Sequence, residues 1–260
     1  MKPRSPDPDG LEAIRTRFDA EMRRDPPLEG DERAERSEHF VRVVGRRAWI
    51  AYSHLTASEA PERVAAEARH ARSSGVEVEW KLYEYDPPPN LGEILAASGF
   101  VADPPETLMV YDLERGRPFP PSGGSVVIRR VQDRTGLETA VAVSRTAFAP
   151  EPGWELEEYL PRLASPSLAV FVAEVLGRPA SAGRLELPMG RAFASLWGGG
   201  TTREFRGRGV YRALVAARAD LARARGFRYL TVDARESSRP ILERLGFAPV
   251  ASVVGWVLAP

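Results

Sequence analysis

At 260 residues the chain is longer than a typical single domain, so one large or two modest domains are expected. Its 36 Lys and Arg balance 36 Asp and Glu, which argues against a nucleic-acid-binding face, since such a face shows as net positive charge. Cysteine is absent, and His39, His54 and His70 are scattered without ligand spacing, so disulfides, cysteine nucleophiles and a metal site are not expected. The apolar runs are too short for a membrane span, and the proline-rich, charged start is unlike a signal peptide. A cytoplasmic protein without membrane contact is therefore expected.

In chain order, residues 1–10 read as disordered, and Leu11, Ile14 and Phe18 at helical spacing predict a helix over 11–24 that Pro26 and Pro27 close. Strands are expected at 40–44 and 48–55, joined by a turn at 45–47. A helix over 61–72 follows, stopping before Gly75, and then a strand over 76–83. Three consecutive prolines break the chain at 87–89. A short helix at 91–97 closes with Ser98, Gly99 and Phe100, and a strand is expected at 107–113. Residues 115–125 (RGRPFPPSGGS) read as a linker.

Beyond the linker, the pattern predicts a strand at 126–131 and helices at 133–148 and 154–163. Strands follow at 168–175, 182–187 and 192–197. The second half thus repeats the element order of the first, and ILAASGF at 94–100 aligns with ILERLGF at 241–247. Gly75 and Gly99 are 24 residues apart, Gly226 and Gly246 20 apart, a difference the triple-proline loop absorbs. An internal duplication is expected. The domains read as an N-terminal tail and helix (1–32), a degenerate half (33–114), the linker, and a complete domain (126–260).

The stretch TTREFRGRGVYRAL at 201–214 carries the chemistry. Arg206, Gly207, Arg208 and Gly209 form a turn that opens into a helix, where unpaired amides and the helix dipole converge on one point, and glycine lets the backbone approach a phosphate. On the helix, Val210, Leu214, Ala217 and Leu221 form an apolar stripe, with Arg212, Arg218, Arg223 and Arg225 expected to face water. A P-loop is excluded because no lysine is near, and the glycine spacing fits a dinucleotide fingerprint poorly. The first copy has Thr56 to Ala60 at this position, without glycine and with the acidic Glu59, so it is not expected to bind pyrophosphate.

Arg206, Gly209 and Tyr211 fall on the three marked positions of Q/R-x-x-G-x-G/A, although Tyr211 stands where a small residue is usual. With SSRPILERLGF at 237–247, the chain resembles the GNAT superfamily of acyl-CoA-dependent N-acetyltransferases over 125–260, and over 33–113 as a partial, degenerate half. The resemblance implies an α/β fold of the GNAT type, with a mixed sheet and a second, degenerate GNAT-like domain. It implies acetyl-CoA as donor, its diphosphate on Arg206, Gly207, Arg208, Gly209, Val210 and Tyr211. Its pantetheine arm would run along Gly200, Thr201 and Thr202. Ser237 and Ser238 would replace the family's asparagine, and Arg239 would reach the adenosine phosphate.

The acceptor implied is a primary amine of a small molecule or peptide, in a pocket shaped by residues near 150–166 and by the first half. The family's general-acid tyrosine position holds Leu242, which supplies no proton. A thiol with a reference pKa of about 8.5 still leaves as thiolate at a penalty of only ~2 kcal/mol at pH 7. Tyr211 is a substitute acid, and Glu186 and Asp233 are candidate bases. A non-catalytic acyl-CoA-binding sensor or scaffold is the rival reading, a nucleic-acid module using Arg206, Arg208 and Arg212 a third. Either a monomer or a homodimer is compatible with the duplication.

Overall fold

The computed structural model describes residues 8–119, 125–151 and 153–260. In the first half, helix α1 (Pro8–Phe18) continues into a π-helical stretch (Asp19–Arg24). There follow β1 (Arg33–Ser37), β2 (Phe40–Val44), β3 (Ala48–Ser53), α2 (Ala60–Ser74), β4 (Val78–Tyr83), α3 (Leu91–Ala97), β5 (Val101–Ala102) and β6 (Glu106–Asp112). The second half runs β7 (Val126–Arg130), α4 (Arg134–Phe148), α5 (Leu156–Tyr159), β8 (Leu168–Val175), β9 (Arg178–Glu186) and β10 (Phe193–Thr201). A 3-10 turn (Arg203–Phe205) leads to α6 (Val210–Ala224), β11 (Tyr229–Ala234), α7 (Arg239–Leu245) and β12 (Ala248–Leu258).

Two compact units result, one from Met1–Met109 with Asp233–Arg239 and Pro249–Pro260, the other from Val110–Val232 with Pro240–Ala248. In the first unit β1, β2 and β3 pair antiparallel in succession, β3 runs parallel to β4, and β4 pairs antiparallel with β12 from Val78↔Leu258 to Tyr83↔Val253. The last strand of the chain therefore completes the sheet of the N-terminal half. Helices α2 and α3 pack Val64, Ala68, Leu91 and Leu95 onto Ile50 and Trp80. Each fully buried leucine there contributes about 2 kcal/mol.

The second unit orders its strands β11-β10-β9-β8-β7, parallel only between β10 and β11. Helices α4 and α6 cover opposite faces of this sheet. A side chain at Gly200 would point at Ala147 and Phe148 of α4, while one at its neighbour Gly199 would point at Tyr211 and Arg218 of α6. Asp133 caps α4 by accepting from the Gly136 amide at 2.8 Å, which is the local reason the helix starts there.

Several expectations are corrected. Strand β1 (RAERS) has no apolar face, and only its backbone pairing with β2 makes it a strand. The helix expected over 154–163 shortens to α5, because Pro161 has no amide to continue it, and turns follow. Residues 8–10 lie in α1 rather than a disordered tail, while 1–7 are outside the described residues, as are 120–124 of the expected linker and 152 of the acceptor loop.

The two segments aligned as copies end their helices with matching backbone geometry. Helices α2 and α3 stop at Gly75 (φ +67°) and Gly99 (φ +95°), and α6 and α7 at Gly226 (φ +80°) and Gly246 (φ +99°). Each is a left-handed stop that glycine takes without strain. At the first copy's turn Glu59 folds back, its carboxylate accepting from the Thr56 amide at 2.7 Å and the Thr56 hydroxyl at 2.8 Å. These bonds hold its carboxyl below the usual carboxylate range. An anion of the chain itself thus stands at the position where the second copy is open.

Candidate functional site

The parallel ladder between β10 and β11 holds only Phe193↔Tyr229, Ala194↔Leu230 and Ser195↔Thr231. Strand β10 nevertheless continues to Thr201 along β9, with a register shift between Trp197 and Gly200. Its β11-side backbone is thereby released from the ladder after Ser195. Within this bulge the three glycines are demanded by protein side chains. A Cβ would lie 2.3 Å from Trp154 Nε1 at Gly198, 3.0 Å from Tyr211 Cε2 at Gly199, and 2.9 Å from Ala147 Cβ at Gly200.

After the bulge, Ser181 Oγ donates to the Gly200 carbonyl at 2.6 Å and lies 2.9 Å from Thr201 Oγ1, and the Thr202 amide donates to Ala180 O at 2.9 Å. Both threonines are thus held to β9. Arg206 bonds the protein itself, with Nε donating to Thr201 O at 3.0 Å and Nη2 to Ala147 O at 3.1 Å. It tethers the turn to β10 and α4. Gly207 and Gly209 both have φ +76°, and nothing lies within 4 Å of a Cβ built at Gly207. No side chain caps α6, so the amides of its first turn, Val210 and Tyr211 among them, have no capping side chain to bond. Exposed Arg208 and Arg212 flank this turn.

The arginines of α6 do not all face water. Arg212, Arg223 and Arg225 are exposed, but Arg218 is fully buried, its guanidinium filling the hollow left by Gly183 and Gly199. It donates to the carbonyls of Leu214 and Arg184, each at 3.1 Å, and its Nη2 has no partner. Burial pulls it down to about 10, with the Tyr211 phenol opposing and the Arg184 charge adding to the shift. Tyr211 packs beside it, and burial raises its phenol despite the arginine.

The candidate bases differ in setting. Glu186 ends β9, with Oε1 3.7 Å from Arg184 Nε and 3.8 Å from Arg162 Nη2. Asp233 belongs to the first unit, where it forms a buried ion pair with Lys81. Its carboxylate is thereby occupied by the ammonium. In the same cluster burial and the Asp233 charge push Glu106 up to about 7, a titratable group that sequence reading missed because no motif surrounds it. Ser237, Ser238 and Arg239 also belong to the first unit. There Ser238 Oγ donates to Arg235 O at 3.0 Å, and Arg239 reaches Thr107 Oγ1 at 3.4 Å. Leu242 is fully buried.

Among the described residues no helix is long and apolar enough to cross a membrane, and no group of three or more His, Asp or Glu side chains is arranged to hold a metal.

Residues 127–247 match the model of the Acetyltransferase (GNAT) family. No curated protein matches the sequence significantly. Among solved structures, a GCN5-related N-acetyltransferase from Kribbella flavida is similar at TM-score 0.68 and 16% identity, over 88% of this chain and 90% of that one. A tandem GNAT protein from the clavulanic acid biosynthesis pathway is similar at TM-score 0.61 and 18% identity, over 99% and 97%. A GCN5-related N-acetyltransferase from Sphaerobacter thermophilus is similar at TM-score 0.63 and 14% identity, over 86% and 82%. Segment 127–247 thus matches the GNAT acetyltransferase family, on a chain whose α/β fold with a large mixed sheet is that of GNAT proteins, tandem ones included.

Proposed function

We propose that the second unit transfers an acetyl group from acetyl-CoA to a primary amine. The observation that carries this reading is the open turn at Gly207 and Gly209, uncapped at the start of α6, on the same chain segment as a β10 edge released after Ser195. The turn amides from Arg206 to Tyr211 would hold the diphosphate, with Arg208 and Arg212 adding charge at its rim. The backbone of β10 beyond Ser195, where the ladder with β11 has ended, would take the pantetheine arm, with Gly200, Thr201 and Thr202 held beside it by their bonds to β9 and Arg206, and an amide there would polarise the acyl oxygen. Bound acetyl-CoA supplies a thioester whose acyl carbon is open to attack by an amine.

Glu186 is the preferred base, because it is partly exposed and bound by no short hydrogen bond, whereas Asp233 is engaged by Lys81. Proton delivery to the leaving sulfur is left to solvent or Tyr211.

Calorimetry with acetyl-CoA tests the cradle. Gly207→Asp, which places a carboxylate where the diphosphate would lie, is expected to weaken binding at least about tenfold by charge repulsion. Absence of binding to the unaltered chain would overturn the proposal. A second reading, a CoA-binding sensor without turnover, is favoured by the buried Leu242 at the position of the family's acid. Amine-dependent release of free thiol distinguishes the enzyme from the sensor.

A further inference from the structure

Arg184 stands on β9 between Val170 of β8 and Trp197 of β10. Its guanidinium carbon lies 4.8 Å from the ring centre of Tyr159, 5.5 Å from that of Trp154 and 5.8 Å from that of Trp197. Three rings therefore hold the cation, leaving the edge of its fork as the polar outlet. Its Nε is buried and has no hydrogen-bond partner, and Glu186 Oε1 at 3.7 Å is too far for a direct hydrogen bond. Arg162, placed over Tyr159, approaches the same Glu186 oxygen to 3.8 Å.

Although Arg218 is satisfied only in part, through two carbonyls, a buried arginine can be satisfied wholly by its own protein. Arg23 in the first unit shows the pattern, donating to Ala51 O at 3.2 Å, Asp19 at 2.9 Å and Asp86 at 2.6 Å. Arg184 departs from it. The group is also open on one side, since the side chains of Glu186 and Arg162 keep 28% and 25% of their exposure while Trp154 and Tyr159 are buried. Trp154 lies against Gly198, so this recess adjoins the β10 bulge. An arginine fork short of an acceptor, next to a carboxylate in an aromatic recess, is complementary to a small molecule that carries both charges.

We infer that, granted the acyltransferase reading, the acceptor is an amine bearing a carboxylate on the same small molecule, as an amino acid does. Arg184, assisted by Arg162, takes the acceptor carboxylate, and Glu186 takes the amine. The rings of Trp154, Tyr159 and Trp197 fix the fork and keep water from it.

Intrinsic tryptophan fluorescence reads this recess directly, because Trp154 and Trp197 line it. The full chain, with and without saturating CoA, is titrated with glycine, L-methionine and L-phenylalanine and with the carboxamide of each. At least one free acid is expected to bind ten or more times tighter than its carboxamide. Arg184→Met is expected to erase that preference, and Arg184→Lys to retain part of it, with circular dichroism confirming that each variant folds. The inference is overturned if no acid binds more tightly than its carboxamide, or if the preference survives in folded Arg184→Met. Should Arg184→Met not fold, Arg162→Met is read the same way, an undiminished preference there counting against the inference. CoA affinity, measured separately by calorimetry, tests the underlying reading, so the two failures are distinguishable.

Discussion

Arg218 and Glu106 are charged groups that the fold places where charge is unfavourable. Arg218 has two carbonyls but no carboxylate to offset its burial, whereas Arg23 has Asp19 and Asp86. Replacing a poorly compensated buried ion by an apolar side chain of similar length is often neutral or stabilising by about 1–4 kcal/mol. Arg218→Met is therefore expected to unfold in urea at the same concentration as the parent or a higher one. Glu106 gives a pH-dependent counterpart. Its pKa rises from 4.5 to about 7 on folding, so between these values the folded chain keeps a proton that the unfolded chain has lost. Stability therefore falls as pH rises through that window, and the loss is complete above it. Glu106→Gln, which cannot ionise, should match the parent near pH 4 and exceed it by roughly 3 kcal/mol well above pH 7, as read by denaturant titration across the range.

Among the elements, β10 shows how packing and chemistry share one strand. Glycine at 198 serves both a left-handed backbone (φ +53°) and contact with the Trp154 indole, so an added methyl group meets strain and overlap together. Gly198→Ala is expected to lower stability by about 2–4 kcal/mol in chemical denaturation, the sum of αL strain and overpacking. The turn before α6 belongs to the same design. Arg206, which by pattern alone would ring the bound anion, instead ties the turn to Thr201 and Ala147. In the proposed cradle the diphosphate contacts therefore fall to the amides of Gly207 and its neighbours.

In the whole molecule, each compact unit borrows chain from the other half of the sequence. The first needs β12 to pair with β4, and Asp233 to form its ion pair with the buried Lys81. A fragment of residues 1–114 lacks both. It is expected to show neither a cooperative thermal transition nor dispersed amide resonances, since a buried ion pair that has lost one partner and an open strand edge each disfavour a compact state. A folded, dispersed spectrum from that fragment would contradict this account of the unit.

Local order was largely legible in the residues. Apolar spacing marked α1 and α6, and glycine stops marked the ends of α2 and α3. Glycine spacing marked the helix stops in both halves and the left-handed turn at Gly207 and Gly209, because turn and helix-stop chemistry acts over a few neighbouring residues. Strand β1 was not legible, since its partner rather than its own pattern makes it a strand, and neither was the burial of Arg218, which depends on two glycines on other strands. The ring-held fork of Arg184 and the raised carboxyl of Glu106 were equally hidden. Only tertiary structure decided them, because burial, charge pairing and strand exchange are set by residues far apart in the chain, and a one-dimensional pattern carries no distance between them.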